Sequence, residues 1–249
     1  MGVGAAAAEE SALNELCSRP VVPGEVFDYG GEHDQVWERY GCESDPLLVF
    51  IHGGYYRPST DRSHARAAAS ALADAGYCVA LAEYRRQPGS PGSTIADLRS
   101  LECSLIESGC EPVLWIGHSA GGQLVQHRVY DLALPPVAGL ALAPLGDLRR
   151  SDREGGGEHG VRAWIGCGPA QDPELWDSLD PVQLVGAERD RWLTLLHGDC
   201  DATVNLDLNR SFKPTVLHGA HHFDLINPSS PYWPQVLAAV AGARVNGTV

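Results

Sequence analysis

Short apolar runs alternate along the chain with segments in which apolar and polar residues are mixed. Four apolar runs have the length of strands that are buried on both faces. They are residues 47–51, 77–84, 112–118 and 137–145. The segments between them have the pattern and end signals of helices. They are residues 61–76, 94–109 and 120–133. Because strand and helix alternate, the chain predicts an α/β fold with a mostly parallel sheet and helices on both faces.

The regions on either side extend this pattern. Ahead of the first run, residues 24–30 and 34–41 predict two short strands at an antiparallel edge, and an N-terminal helix is expected within residues 1–20. After the fourth run, residues 146–170 are charged and glycine-rich, which predicts a loop or cap-like excursion over the sheet. The rest predicts short helical turns, a strand, a helix, a strand and a closing helix. These are residues 172–186, 191–198, 204–212, 213–219 and 229–245. We therefore expect a single domain over residues 1–249.

Charge and cysteine content narrow the classes of function. The chain has 18 Lys and Arg against 32 Asp and Glu, a formal net charge of −14. Nucleic acids and membrane surfaces are anionic, so we expect neither as a partner. The seven cysteines form no C-x-x-C pair, which argues against a disulfide framework or a zinc knuckle. The first ten residues lack the basic and apolar regions of a signal peptide. We therefore expect a cytoplasmic protein with reduced thiols.

A candidate nucleophile lies where the third apolar run meets the following helix. Gly117, Ser119 and Gly121 form the pattern G-x-S-x-G. A serine in a sharp strand-to-helix turn needs small neighbours, because strand and helix crowd together there. The helix that follows favours an anion at its N-terminus. The alternative is a glycine-rich turn with an idle serine, but the flanking strand and helix favour a nucleophile.

Candidate acids and bases follow two later strands. Asp199 and Asp201 come after the strand at 191–198, and Asp201 is preferred as the acid that orients a histidine. Asp199 is the second choice, because an Asx turn or helix cap explains it better. The last predicted strand leads to three histidines, His218, His221 and His222. Their spacing does not match a zinc motif, so we expect no metal. One of the last two is the candidate base, and the order Ser, Asp, His is that of an α/β-hydrolase triad.

Three motifs together resemble a known family. H-G-G-Y-Y begins at His52, G-H-S-A-G-G surrounds the candidate serine, and H-H-F-D-L-I includes His222. In combination and order they are similar to the α/β-hydrolase fold and, within it, to the arylformamidase (kynurenine formamidase) branch. The resemblance spans most of residues 45–225. It selects His222 over His221, because the branch has a histidine followed by phenylalanine. Tyr56 is a departure, since the branch has tryptophan at that position.

The resemblance implies a serine hydrolase that works through an acyl-enzyme. His222 would take the proton from Ser119, and Asp201 would orient His222. Backbone N–H groups would hold the oxyanion. The residues that supply them are Gly53, Gly54 and Ala120. His52 is expected to brace this loop, because proton transfer is already assigned to His222.

Five side chains are expected to line the substrate pocket. They are Tyr55, Tyr56, Trp164, Trp176 and His118. Packing in the core is the competing explanation for the aromatic rings. No cofactor and no metal are expected, because an acyl transfer of this kind needs neither.

The resulting functional hypothesis is hydrolysis of an aryl formamide such as N-formylkynurenine, which gives formate and a free aryl amine. The alternative is a small carboxylesterase that acts on short-chain acyl esters. A third, less favoured hypothesis is a non-catalytic binding protein on a hydrolase scaffold, although such proteins usually lose a triad residue. The partner expected is a small-molecule substrate, and a homodimer is an allowed assembly.

Overall fold

The computed structural model describes residues 3–246. Within this range, eight strands form one sheet. They are β1 (Glu25–Asp28), β2 (Val36–Tyr40), β3 (Leu47–Ile51), β4 (Cys78–Ala82), β5 (Leu114–His118), β6 (Gly139–Leu142), β7 (Leu193–Gly198) and β8 (Thr215–Leu217). Their spatial order is β1-β2-β4-β3-β5-β6-β7-β8. β2 pairs antiparallel with β1 and β4, and the other neighbouring strands are parallel. The predicted mostly parallel sheet with an antiparallel edge is confirmed.

Helices connect most of the strands. The α-helices of the described range are α1 (Val3–Ser18), α2 (Arg66–Asp74), α3 (Pro91–Glu107), α4 (Ala120–Tyr130), α5 (Leu148–Arg153), α6 (Gly160–Ile165), α7 (Pro173–Leu179), α8 (Pro181–Leu184), α9 (Ala187–Asp190) and α10 (Trp233–Asn246). Short 3-10 helices cover Arg62–Ala65, Gly156–His159, Leu206–Phe212 and His222–Ile226. Local sequence explains several boundaries. Asp61 accepts a hydrogen bond from the backbone N–H of Ser63 ahead of α2, and Pro91 is the first residue of α3.

The central strand shows how the two faces of the sheet are covered. In β3, Leu47, Val49 and Ile51 point to one face, where they join a cluster with residues of α3, α4 and α6. Leu48 and Phe50 point to the other face and pack with residues of α2 and α10. Every residue of β3 is buried, which explains its uninterrupted apolar sequence. The sheet is therefore a middle layer with helices on both faces.

The excursion at 146–170 differs from the predicted loop, because most of it is helical. It forms α5, a 3-10 helix and α6. Asp147 caps α5 by accepting from the N–H of Arg150, and α6 buries Val161 and Trp164. These helices are too short for a periodic pattern, and packing on the domain stabilises them. The segment at 204–212, predicted as an ordinary helix, is largely a 3-10 helix.

The parallel strands bring four chain segments to one edge of the sheet. β3, β5, β7 and β8 run in the same direction, so the loops that follow them emerge together. Those loops carry the candidate oxyanion, nucleophile, acid and base residues. In the described range, none of the helices is long and apolar enough to cross a membrane.

Candidate active site

Ser119 occupies a sharp turn between β5 and α4. Its backbone has φ 56° and ψ −120°, a conformation that costs energy for a residue with a side chain. Crowding around the turn explains the two flanking glycines. A Cβ on Gly117 would lie 2.2 Å from the Gly121 carbonyl oxygen, and a Cβ on Gly121 would lie 2.2 Å from the Ile51 carbonyl oxygen. The structure therefore has the geometry expected of a nucleophile elbow.

Gly53 lies directly beside this serine. A Cβ on Gly53 would stand 2.9 Å from Ser119 Cβ, so this approach requires glycine. Gly54 has φ 117°, a conformation that favours glycine. Ala120 is the first residue of α4, and N–H groups in the first turn have no partner within the helix. The three proposed oxyanion donors thus come from two segments that meet at Ser119.

His52 holds the segment that contains Gly53 and Gly54 in place. It is fully buried, with Nδ1 2.7 Å from the Gly53 carbonyl oxygen and Nε2 2.9 Å from Glu83. The Tyr84 hydroxyl donates to the His52 carbonyl at 2.8 Å. Burial raises the pKa of Glu83, but His52 and Arg86 outweigh it, so this pKa lies below its ordinary value. His52 therefore supports the oxyanion segment through hydrogen bonds, as the sequence predicted.

His222 and Asp201 form the second half of the site. His222 Nδ1 lies 2.7 Å from Asp201 Oδ2, and both side chains are buried. The other Asp201 oxygen accepts from the N–H groups of Thr203 at 3.0 Å and Val204 at 2.7 Å. Burial raises the pKa of Asp201, but the charge of His222 and hydrogen bonds from His197 and His222 lower it by more than burial raises it. The pKa of Asp201 therefore lies below its ordinary value. Asp201 is therefore ionised and oriented, and Nε2 is the ring atom of His222 left to meet Ser119.

The alternative acid and bases have other partners. Asp199 accepts from the N–H of Gly219 at 2.7 Å and contacts His218 Nδ1 at 2.8 Å, and this pair is exposed. The ring of His221 contacts the carbonyl of Cys200 at 3.0 Å. The structure thus brings Asp201 to His222 and places the other candidates outside the pair.

A cavity of about 520 Å³ opens above these residues. Ser119 and His222 both line it, together with Gly54, Tyr55 and His118. The rest of the wall comes from α1, from the segment around Thr60, from the loop after Asp201 and from the excursion. Its volume is within the range that small-molecule sites show.

The aromatic wall predicted from the sequence is only partly present. Tyr55 and His118 line the cavity, but Tyr56, Trp164 and Trp176 lie in the core. The rings of Tyr56 and Trp164 stack at 4.0 Å. The Tyr56 hydroxyl donates to Gln123 at 2.7 Å. These three rings are away from the cavity wall because burying large aromatic surface favours the core once each polar atom has a partner.

His118 lies against the candidate base. Its Nε2 is 3.0 Å from the His222 carbonyl oxygen, and the two rings are 4.4 Å apart. Nδ1 of His118 is buried without a hydrogen-bond partner, so the proton belongs on Nε2, which donates to the carbonyl. Burial and the neighbouring His222 lower the pKa of His118 well below its ordinary value. His118 is thus a neutral support for the backbone of His222.

One buried carboxylate at the site has no counterpart in the sequence interpretation. Glu9 of α1 is 2% exposed. It accepts hydrogen bonds from the backbone of His222 and Ala202 and from the hydroxyl of Thr203. Its partners lie 193 to 213 residues away along the chain, so no local motif marks it. The alanines before Glu9 predicted a helix and nothing more.

The site contains no arrangement suited to a metal. Among residues 3–246, no group of three or more His, Cys, Asp or Glu side chains is placed to hold an ion. Near Ser119, Nε2 of His118 and Nε2 of His197 contact backbone carbonyl oxygens, and Nδ1 of His222 contacts Asp201.

Known proteins resemble this chain in sequence or in fold. A curated relative, the acetyl-hydrolase of Streptomyces hygroscopicus, is 35% identical over 136 residues, which cover 51% of this chain and 45% of the relative. The match thus spans about half the length of that relative. Esterase B of Lactobacillus rhamnosus HN001 has a similar structure, with a TM-score of 0.71 at 17% identity, covering 98% of this chain and 93% of the esterase. Esterase 2 of Thermogutta terrifontis has a TM-score of 0.67 at 19% identity, with 89% and 94% covered.

The structural neighbours have low sequence identity to this chain, so their similarity establishes the fold alone. The model of the alpha/beta hydrolase family matches residues 48–247. That range begins in β3 and includes Ser119, Asp201 and His222. The chain therefore has the α/β-hydrolase fold predicted from its motifs, and it belongs to the alpha/beta hydrolase family.

Proposed function

We propose that this protein is a serine carboxylesterase that hydrolyses esters of short acyl groups. The observation that carries the proposal is the arrangement of Ser119, His222 and Asp201 beside Gly53 at one cavity. The names of the similar proteins, an acetyl-hydrolase and two esterases, support ester substrates. They support this alternative more than the aryl formamide hypothesis.

The first half of the reaction forms an acyl-enzyme. His222 Nε2 accepts the hydroxyl proton of Ser119 while Ser119 Oγ attacks the ester carbonyl carbon. Asp201 holds the proton on Nδ1 of His222 and stabilises the imidazolium that forms. The carbonyl oxygen becomes an oxyanion that the N–H groups of Gly53, Gly54 and Ala120 stabilise. The intermediate then collapses, and His222 gives its proton to the departing alcohol.

The second half repeats the same steps with water. His222 removes a proton from a water molecule as that water attacks the acyl carbon on Ser119. Collapse of the second oxyanion intermediate breaks the bond to Ser119 Oγ, which recovers its proton from His222. The products are a carboxylic acid and the free enzyme.

A second candidate function is hydrolysis of an aryl formamide such as N-formylkynurenine. The motifs that begin at His52 and include Ser119 and His222 favour it, and Tyr55 provides one aromatic side chain at the cavity wall. The leaving group would then be an aryl amine, whose nitrogen His222 would have to protonate. Tyr56, the position at which the sequence departs from the arylformamidase branch, lies in the core, so its ring does not select the substrate directly.

A parallel assay separates the two substrates. We expect turnover of p-nitrophenyl acetate and p-nitrophenyl butyrate, with much lower kcat/KM for N-formylkynurenine. Ser119→Ala should abolish turnover and labelling by a fluorophosphonate probe, while the unaltered protein is labelled. Faster turnover of the formamide than of either ester would overturn the ester proposal in favour of the formamidase.

The same labelling experiment tests the hypothesis of a binding protein without activity. A binding protein would show no turnover of the esters or the formamide and no Ser119-dependent labelling. We expect labelling, because the acid and the base are both present and hydrogen-bonded to one another.

A further inference from the structure

The buried side chain of Glu9 on the N-terminal helix α1 contacts the segments that carry the acid and the base. Glu9 Oε1 accepts from the backbone N–H of Ala202 at 2.9 Å and from the backbone N–H of His222 at 3.0 Å. Glu9 Oε2 accepts from the Thr203 hydroxyl at 2.6 Å. A single carboxylate therefore joins the segment after Asp201 to the base itself.

The peptide backbone of His222 is held from both sides. Its N–H donates to Glu9, and its carbonyl accepts from His118. Since Asp201 contacts Nδ1, three different segments fix the backbone and ring of His222. Glu9 does not line the cavity. The residues of α1 that line it are Glu10 and Leu13.

The segment after Asp201 is also held from two sides. The hydroxyl of Tyr55 donates to the Thr203 carbonyl at 3.0 Å, and the hydroxyl of Thr203 donates to Glu9. Tyr55 directly follows the two glycines of the oxyanion segment. Glu9 thus completes a chain of contacts that runs from the oxyanion segment through Thr203 to His222.

Resting on the proposed function, we propose that Glu9 is a positioning residue that fixes His222 relative to Asp201 and Ser119. Its carboxylate does not touch substrate. It supplies acceptors for the buried N–H of His222 and the partly buried N–H of Ala202, which lie on the segments that carry the base and the acid. Without these acceptors the two segments would have to move to find other partners, because buried N–H groups are rarely left unpaired.

Two substitutions separate hydrogen bonding from charge. Glu9→Gln keeps one oxygen for both N–H groups, and its amide can donate to the Thr203 hydroxyl, so kcat should stay within about threefold of the parent. Glu9→Leu keeps a similar shape without acceptors, and kcat should fall about tenfold or more. Because Glu9 does not line the cavity, KM should change little. Glu15→Leu is the matched control on α1, since Glu15 is exposed and paired with Arg19.

The rate must be measured per active serine, so that a merely structural role is recognised. Titration with a fluorophosphonate gives the number of active sites, and ester hydrolysis divided by that number gives kcat. The low-field proton resonance of the hydrogen bond between His222 and Asp201 supplies a second readout. In Glu9→Leu we expect this resonance to shift or broaden, and in Glu9→Gln and Glu15→Leu we expect it to persist.

If Glu9→Leu does not fold, Glu9→Asp replaces it, because aspartate keeps the charge but is one methylene shorter and cannot span both segments. We expect a lower kcat per titrated serine and an altered resonance. Parental kcat and an unchanged resonance in either folded variant would overturn the positioning role, even with fewer active sites. Activity that survives Ser119→Ala would instead overturn the proposed function, so the two failures are distinguishable.

Discussion

Three residues near the reacting centre hold backbone conformations that are unusual for residues with side chains. Ser119, Tyr55 and Tyr56 have φ of 56°, 51° and 57°, and such strain costs on the order of 1–3 kcal/mol per residue when the conformation is sparsely populated. Each has contacts that hold it. Ser119 donates its N–H to the Leu142 carbonyl at 2.9 Å, and both tyrosine hydroxyls are hydrogen-bonded. The strain lies on both sides of the oxyanion site, where rigid placement of N–H groups matters most.

Asp201→Asn should lower kcat/KM for esters by a factor on the order of 10³–10⁴ without unfolding the protein. The asparagine amide would point an N–H at His222 Nδ1, which forces the ring proton onto Nε2, and Nε2 could then no longer accept from Ser119. Steady-state kinetics with p-nitrophenyl acetate measure the effect. Asp199→Asn is the matched control and should stay within about twofold, because Asp199 pairs with an exposed histidine. A larger loss in Asp199→Asn than in Asp201→Asn would reverse the assignment of the acid.

Tyr56→Phe should reduce stability and leave substrate choice unchanged. The substitution keeps the stack on Trp164 but leaves the buried Gln123 oxygen without its donor, at a cost of about 1–3 kcal/mol. Urea denaturation gives the free energy of unfolding. The ratio of kcat/KM for acetate and butyrate esters gives substrate choice.

Tyr55→Leu provides the comparison, because Tyr55 lines the cavity and its loss should change that ratio. A larger change in the ratio for Tyr56→Phe than for Tyr55→Leu would contradict the placement of Tyr56 in the core, away from the substrate.

Motifs at strand ends made part of the site predictable. Ser119 and Asp201 follow the largely buried strands β5 and β7, and His222 follows the edge strand β8. Parallel strands bring such loops together. Glu9 and the buried rings could not be assigned in the same way. Whether Trp164 faces a cavity or the core depends on helices that pack around it, and the partners of Glu9 come from the far end of the chain.

Elements followed their sequence patterns where those patterns were long or fully buried. β3 spans the predicted residues 47–51, because five successive apolar residues are enclosed by β4 and β5. The structure of the excursion at 146–170 was harder to predict, since its glycines and charged residues indicated a loop. Its helix α6 forms because Trp164 is buried in the core and its Nε1 donates to the Thr94 hydroxyl at 3.0 Å. These two residues are 70 positions apart in the sequence.

Gly121→Ala should displace α4 from the sheet and impair catalysis. The new Cβ would lie 2.2 Å from the Ile51 carbonyl oxygen and 2.4 Å from that of His52. Backbone atoms of a central strand cannot yield, so α4 and Ser119 must move instead. We expect a loss of about 3 kcal/mol in the free energy of unfolding and a roughly 100-fold lower kcat. Thermal denaturation and ester kinetics measure the two effects.

Gly92→Ala is the control for the glycine substitution itself. Gly92 lies in the first turn of α3, and a Cβ there would meet no heavy atom within 4 Å. Stability should stay the same or rise by about 0.5 kcal/mol, with unchanged kcat. Equal losses in Gly92→Ala and Gly121→Ala would show that crowding against β3 is not the cause.

At the scale of the whole molecule, buried ionisable groups make stability depend on pH. His64 and His118 are almost fully buried. Burial, reinforced by neighbouring histidines, lowers the pKa of His64 to about 3 and that of His118 well below its ordinary value. In the unfolded chain both would bind a proton below about pH 6.5. Because the unfolded state then binds more protons than the folded state, stability is fully present above this pH and is lost as pH falls.

Asp180 acts in the opposite direction over a narrower range. It is fully buried, and burial raises its pKa to about 6, although it accepts hydrogen bonds from the N–H groups of Leu148 and Arg149. Its unfolded pKa is about 3.9. Its contribution to stability is therefore complete below about pH 4 and is lost as pH rises through about 6. Between these values Asp180 offsets roughly one of the two histidines.

Between pH 6 and 5 the free energy of unfolding should therefore fall with decreasing pH by at least about 1.4 kcal/mol per unit, the slope for one proton, because His127, whose pKa burial also lowers, adds to His64 and His118. Asp180→Asn removes the offset and should make this slope steeper, and His64→Gln should flatten it. Urea denaturation at pH 8, 7, 6 and 5 measures all three proteins. The comparison uses slopes, so a constant loss of stability in either variant does not interfere. Parallel profiles for the three proteins would mean that neither Asp180 nor His64 exchanges its proton differently in the folded and unfolded states.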